Sequence, residues 1–189
     1  MKLNKKLLLC IGLIIVVSAL YRVSPLREYG FAPQWAIAIF SGFIFSKDKK
    51  WAFALPLFSM LLSDVIYEIL FSLKLTNIQG FYGKGQIINY ALFALVTCIG
   101  FFIKQLNVAK IAAASIAAPT VFFLLSNFDV WISSTGYLRA KTFAGLMQCY
   151  EDGLPFYKTS LIGTFIFSTI LFVAYSFIAN RINKVSTVS

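Results

Sequence analysis

The chain has 189 residues, of which 59% are hydrophobic and 13% are charged, and its mean hydropathy is +0.81. Soluble domains are about 45–50% apolar and about 25% charged, so the composition excludes an ordinary soluble domain and predicts one integral membrane domain over residues 1–189. The formal net charge of +10 does not indicate a nucleic-acid partner, because the Lys and Arg residues form short clusters between apolar runs.

Apolar runs recur along the whole chain, and a helix needs roughly 20 apolar residues to cross about 30 Å of hydrocarbon. The runs predict an all-α bundle of six transmembrane helices, at about residues 6–22, 32–46, 51–73, 86–104, 109–126 and 158–180. The second helix is short. Pro33 before it and Gly42 within it predict that it begins below the membrane surface or crosses only part of the bilayer. Residues 127–157 are predicted to form an outer loop that is ordered or acts as a lid.

Positive charge is unevenly distributed between the two predicted faces. The face that carries both termini has ten Lys and Arg residues and a single acid, Asp48. The opposite face has seven Lys and Arg residues, offset by Glu28, Glu151 and Asp152. The positive-inside rule therefore predicts that both termini are cytoplasmic in a multi-pass protein of the bacterial inner (cytoplasmic) membrane, with the lipid bilayer as its surroundings.

Several classes of chemistry are excluded or disfavoured by residue types. The chain has no histidine, which excludes serine–histidine and cysteine–histidine catalysis and removes the commonest metal ligand. Its three cysteines, Cys10, Cys98 and Cys149, are isolated and indicate neither a disulfide framework nor a metal site. No GxxxxGK[ST] loop is present, so any coupling to ATP needs a partner. We predict no metal, no cofactor and no enzymatic activity.

The stretch PLFSMLLSDVIYEILF, residues 56–71, carries two acids within an apolar run. Asp64 and Glu68 are four residues apart, so they share a helix face. A carboxylate near the bilayer centre costs about 2.5–3.5 kcal/mol on insertion scales, so this face must point toward protein or water.

Other polar side chains are predicted at the same outer level, and the inner halves of the helices hold almost nothing ionisable. Gln86, Asn89 and Tyr90 are spaced to share a face of the fourth helix. The pattern predicts an outer cavity that binds a small molecule. The residues expected to orient the solute are Arg22, Arg27, Gln34, Asp64, Glu68, Asn89, Asn127 and Asp129. Those expected to stack on it are Phe31, Tyr67, Tyr82, Trp131 and Tyr137.

Simpler interpretations remain open at this point. Asp64 could pair with Arg22 or Arg27 and only fix helix packing, and Glu68 could be solvated near the surface. The aromatic residues of segment 127–157 could form an interfacial belt and nothing more. Small residues at four-residue spacing could be seams within the bundle or a docking face for a partner subunit. They are Ala32 with Ala36, Ala38 with Gly42, and Ala109 with Ala113 and Ala117.

Four blocks of the sequence carry a resemblance to a known family: GFAPQWAIAIFSGFIF, KKWAFALPLFSMLLSD, SNFDVWIS and TFAGLMQCYEDGLPFYKTSLIGTFIF. Over residues 22–172 the chain resembles an uncharacterised family of small bacterial membrane proteins labelled as transport proteins. More distantly, its size, its helix count and the run of Pro56, Met60 and Asp64 are similar to the substrate-binding S components of energy-coupling factor transporters. That resemblance implies an outer substrate pocket and work with a transmembrane coupling subunit and two ATPases. The small-residue docking motif expected on the first helix is missing.

We therefore expect a membrane transport subunit that captures a small, water-soluble, vitamin-like solute from outside. A proton-coupled secondary carrier, with Asp64 as the titrating group, is the nearest variant. From a different class, the protein could be a structural or scaffolding subunit of a membrane complex. An intramembrane enzyme would have only Asp64, Glu68 and Asp129 as acid–base groups.

Overall fold

The computed structural model describes residues 5–134 and 139–186, with side chains described for residues 9–134 and 139–179. Within these ranges the protein is all-helical and contains no strand. Six helices follow one another along the chain: α1 Lys5–Val23, α2 Gln34–Ile44, α3 Lys49–Ser72, α4 Lys84–Gly100, α5 Val108–Ser133 and α6 Phe143–Ser186. The prediction of an all-α protein is confirmed.

Contacts between helices establish their relative directions. The hydroxyls of Ser18 and Ser59 lie 2.6 Å apart, and four residues further along both helices Arg22 contacts Ser63 and Asp64. α1 and α3 are therefore parallel. One end of the bundle is called its upper end. There α1, α3 and α5 finish, and α2, α4 and α6 begin.

Three of the described helices are long and apolar enough to cross a membrane: Lys49–Ser72, Val108–Ser133 and Phe143–Ala179. The apolar segments Leu9–Val23, Gln34–Ile44 and Lys84–Gly100 are shorter. Large hydrophobic side chains are exposed on the outer surface, among them Leu13, Ile87 and Phe177. These features are typical of a membrane protein, but a bundle with six spans is not shown, because only three segments meet the length criterion.

α2 lies at the centre of the bundle and packs against α3, α4, α5 and α6. Because α2 has no polar face, it is stable when neighbouring helices bury it on all sides. Ile37 and Ile39 are at most 2% exposed. Its start is set below the end of α1, because the Gln34 side-chain amide donates to the Ser18 carbonyl, one turn before Arg22. The expectation that the second helix is short is confirmed, since it has 11 residues.

The predicted bounds of the outer loop, residues 127–157, differ from the structure, in which much of this segment is ordered as helix. α5 continues to Ser133 and α6 begins at Phe143, so residues 134–142 connect them. Polar residues in this region interrupt the apolar pattern, yet the helices accommodate them: the Asn127 amide donates to the Phe123 carbonyl, and the Tyr150 hydroxyl donates to the Leu124 carbonyl across the α5–α6 contact. Contacts between α5 and α6 thus stabilise both helices beyond their most apolar segments.

Candidate functional site

A cavity of about 580 Å³ opens at the upper end of the bundle. Its walls come from all six helices and from the α1–α2 and α3–α4 loops. Apolar residues of α2 to α6 pack below it, including Ile39, Met60, Val96, Ala118 and Phe172. The volume falls within the roughly 300–1,000 Å³ typical of small-molecule sites.

Asp64 forms the polar centre of one wall and is 1% exposed. Its Oδ1 accepts from the Arg22 guanidinium at 2.5 Å. Its Oδ2 accepts from the Gln86 amide at 2.9 Å and from the Tyr90 hydroxyl at 2.8 Å. The carboxylate is therefore satisfied by three side chains from α1 and α4, and its main role in this geometry is to hold them in place.

Arg22 and Arg27 join the end of α1 to the rest of the wall. The Tyr67 hydroxyl donates to the Arg22 carbonyl at 2.8 Å, and the Arg22 guanidinium lies 5.7 Å from the centre of the Tyr67 ring. Arg27 Nε donates to the same carbonyl at 2.9 Å, and its Nη1 donates to the carbonyls of Glu28 and Phe31. Neither of the two ion pairs in the described part of the chain includes Arg27.

Two polar groups at the start of α2 have no partner within the described residues. Gln34 is 2% exposed and donates through Nε2 to the Ser18 carbonyl at 3.3 Å, which leaves its Oε1 unpaired. The indole N–H of Trp35 is also buried and unpaired. Both residues line the cavity. Buried polar groups are usually hydrogen-bonded, so these two indicate a place where a solute or water supplies the missing partners.

Aromatic rings form much of the remaining wall. Trp35, Phe93 and Phe122 contact one another with ring centroids 5.3–5.7 Å apart. Phe123 and Tyr157 lie 4.8 Å apart on α5 and α6, and the Tyr157 hydroxyl shares a hydrogen bond with Thr120. Such rings provide a rigid apolar surface on which a flat solute can stack.

The α3–α4 loop covers one side of the cavity, where Ile78, Gln79 and Tyr82 line it. Glu68 Oε2 accepts from the backbone amides of Gly80 and Phe81, both at 3.1 Å. Gly80 lies so close to α3 that an added Cβ would collide with the Asp64 carbonyl and the Glu68 amide. Glu68 therefore attaches the loop to α3, and the Gln86 amide adds a hydrogen bond to the Gly80 carbonyl at 3.2 Å.

The structure brings eight of the thirteen predicted site residues into the cavity wall: Arg22, Arg27, Gln34, Asp64, Tyr67, Tyr82, Asn89 and Asn127. Tyr137 lies outside the described residues. Four others do not line the cavity. They are Phe31, Glu68, Asp129 and Trp131.

Each of those four has another contact. The Phe31 ring packs on Tyr21 and Phe167, and Glu68 holds the loop. Asp129 accepts from Ser133 on its own helix. The Trp131 indole donates to the Ala140 carbonyl and so closes the α5–α6 connection.

The sequence interpretation missed the aromatic wall and Ser160. Trp35, Phe93, Phe122, Phe123 and Tyr157 are separated along the chain and lie among 20 Phe and 9 Tyr residues, many of which face outward. Aromatic residues at helical spacing are as typical of a lipid-facing surface as of a cavity wall. No local signal in the sequence therefore distinguished the residues that line the cavity from those that face outward. Ser160 sits in a polar stripe of α6 with Thr164 and Ser168, all buried, and that four-residue spacing was a usable signal.

No group of three metal-ligating His, Cys, Asp or Glu side chains occurs within the part of the chain that the structure describes. Cys10, Cys98 and Cys149 are free thiols. The polar groups of the cavity can bind and orient a solute. The one carboxylate in the described cavity wall, that of Asp64, already accepts three hydrogen bonds.

The sequence profile described as "Family of unknown function (DUF6580)" matches residues 1–185. The chain belongs to the DUF6580 family. No curated protein and no solved structure matches the chain. Membership in an uncharacterised family is thus established over nearly the whole length of this DUF6580 protein, and the description of the family carries no activity.

Proposed function

We propose that the protein is a membrane transport subunit that captures a small water-soluble solute in the upper cavity. The observation that carries the proposal is the combination of a roughly 580 Å³ cavity, an aromatic wall and buried polar groups without partners. This is the usual composition of a small-molecule site, mostly apolar with a few placed polar groups. Acid–base catalysis has less support, because Asp64 is already engaged by three donors.

In this proposal the protein has six membrane-spanning segments, lies in the bacterial inner membrane and opens its cavity outward. The charge distribution of the sequence supports that orientation, because the predicted face that carries both termini has ten cations and one acid. α1, α2 and α4 are the three shorter helices. Their shorter spans are compatible with a cavity that displaces lipid above α2 and with local thinning of the bilayer.

Transport needs an energy source, and the similarity to S components of energy-coupling factor transporters suggests a coupling subunit with ATPases. The absence of a GxxxxGK[ST] loop supports the need for a separate ATPase. The carrier variant would use Asp64 as a proton acceptor. The ion pair with Arg22 and two further hydrogen bonds argue for a positioning role instead.

The proposal is tested by native mass spectrometry of the protein purified gently from its own membranes, with identification of any bound small molecule. We expect a stoichiometric solute. Ser126→Phe, which would insert a ring into the cavity wall, should remove it, whereas Thr169→Phe on the exposed face of α6 should retain it. Solute-free protein, or equal solute in both variants, would contradict capture in this cavity.

A scaffolding role is the second candidate, because part of the alanine-rich seam of α5 faces outward. Ala109 and Ala113 are exposed, whereas Ala114 and Ala118 pack inside the bundle. By contrast, Ala36 and Ala38 of the α2 seam are fully buried. Crosslinking in membranes from an Ala113→Cys variant distinguishes the two: a fixed membrane partner, together with a solute-free cavity, would favour the scaffold.

A further inference from the structure

The charges around the cavity do not cancel. Arg22, Arg27 and Asp64 are the ionisable Arg, Lys, Asp or Glu residues in the described wall, which leaves one positive charge. Arg22 is neutralised by Asp64, so the excess belongs to Arg27, whose guanidinium donates to three backbone carbonyls and lies 6.0 Å from the centre of the Tyr29 ring. No side chain caps the first turn of α2, and the positive end of that helix dipole adds to the potential at this wall.

The unpaired polar groups of the cavity define a second requirement. Gln34 Oε1 needs a hydrogen-bond donor, and the Trp35 indole N–H needs an acceptor. The Ser160 hydroxyl, in a residue 7% exposed, lies in the same wall and can accept or donate. Gln34 is anchored to the Ser18 carbonyl and Arg27 to the Arg22 carbonyl, and these two carbonyls lie about one helical turn, about 6 Å, apart along α1.

We propose that the solute is a small organic monoanion, a carboxylate with an aromatic or aliphatic body and an N–H or O–H donor. Its carboxylate would pair with Arg27, which can offer a charge-assisted hydrogen bond. Its donor group would reach Gln34 Oε1, and its body would lie against the surface that the Trp35 and Phe122 rings form together. This inference rests on the proposed function and adds the chemical class of the solute.

Three probes of matched size test the class: indole-3-butyrate, its neutral analogue indole-3-butyramide, and the cation 3-(3-aminopropyl)indole. Each carries an aromatic body and an N–H donor, and they differ in charge at the chain end. Calorimetric titration into detergent-solubilised full-length protein should give tighter binding of the anion than of the amide by about tenfold or more. The cation should bind more weakly than both.

Variants assign the preference to Arg27. Arg27→Gln should reduce the anion-to-amide affinity ratio to near one, and Arg27→Lys should retain part of it. Lys84→Gln, which removes an exposed cation at the same end of the bundle but outside the cavity wall, should leave the ratio unchanged. The ratio compares two probes on one protein, so it stays meaningful if Arg27→Gln also lowers stability.

Each contrary result overturns the assignment. Equal binding of anion and amide, tighter binding of the cation, or binding of none of the three would reject a carboxylate monoanion. An unchanged ratio in Arg27→Gln would reject Arg27 as its partner. Solute capture itself is judged separately by the co-purified molecule: a stoichiometric neutral or cationic solute would retain the proposed function and overturn this inference.

Discussion

At the scale of single residues, Asp64 joins three elements that are distant in sequence. Its carboxylate is 1% exposed and accepts from Arg22, Gln86 and Tyr90. A buried ion pair adds little stability compared with a well-packed apolar pair, but removing one partner leaves an uncompensated charge. The consequence is that the cavity wall depends on Asp64 even though a solute has little access to its oxygens.

Asp64→Asn should lower the free energy of unfolding by about 3 kcal/mol, because Arg22 loses its counter-charge in a buried setting. Denaturant titration of the detergent-solubilised protein measures the free energy of unfolding. Adding Arg22→Gln should cost less than the sum of the two single changes, since the residues interact directly. Asp129→Asn is the control, with an expected change within about 0.5 kcal/mol. Similar losses at Asp64 and Asp129 would refute the argument.

At the scale of elements, two glycines determine how closely α2 and α4 approach. A Cβ added at Gly42 would lie 3.0 Å from the Gly100 Cα and collide with the Thr97 carbonyl. A Cβ at Gly100 would lie 2.9 Å from the Gly42 Cα and collide with the Ile39 carbonyl. The crossing is a backbone contact between small residues, which is the kind of packing that brings helices together in lipid.

Gly42→Ala and Gly100→Ala should each destabilise the protein by about 2 kcal/mol or more, because backbone atoms must move apart. Gly12→Ala in α1 is the matched control: its added Cβ meets nothing within 4 Å, and alanine favours helix by about 0.5–1 kcal/mol. Thermal unfolding in the same detergent compares the three. Equal melting temperatures for Gly42→Ala and Gly12→Ala would show that the crossing tolerates a methyl group.

The α3–α4 loop is a second element whose position depends on few contacts. Glu68→Ala removes the acceptor for the Gly80 and Phe81 amides, so the loop should detach while the bundle remains folded. We expect faster hydrogen exchange at residues 73–83, with melting temperature nearly unchanged. Glu68→Gln keeps a carbonyl oxygen and should show a smaller effect. Unchanged exchange in Glu68→Ala would mean that other contacts hold the loop.

At the scale of the whole molecule, the two ends of the bundle differ in packing. The lower half is filled by apolar clusters, one of which includes Ile11, Ile37, Phe45, Ala52 and Leu55. The upper half contains the cavity and its polar groups. Under the proposed function, a molecule packed at one end and open at the other receives its solute from one side only, so the orientation of the protein in the membrane determines the side from which the solute binds.

That orientation is tested with a membrane-impermeant maleimide on intact cells. In a background with Cys10, Cys98 and Cys149 replaced by alanine, Leu75→Cys at the upper end should be labelled. Leu75 is 70% exposed in the α3–α4 loop. Lys47→Cys in the lower α2–α3 turn should react only after the cells are permeabilised. The reverse pattern would place the cavity on the cytoplasmic side.

The sequence by itself determined the class of protein and the end at which polar groups gather. Composition alone indicates a membrane protein, and a four-residue spacing places Asp64 and Glu68 on one face. Eight of the thirteen expected site residues line the cavity, because they were selected at one predicted level along their helices. Their depth follows from helix rise, which depends only on position along the chain.

Only the tertiary structure decided which partner each group takes. Asp64 pairs with Arg22 and not Arg27, and Glu68, one turn higher, meets a loop instead of the cavity. The aromatic wall and the continuation of α5 and α6 through residues 127–133 and 143–157 are likewise products of packing. The physical reason is that helix rotation and crossing depend on contacts between segments far apart in sequence, which no local pattern encodes.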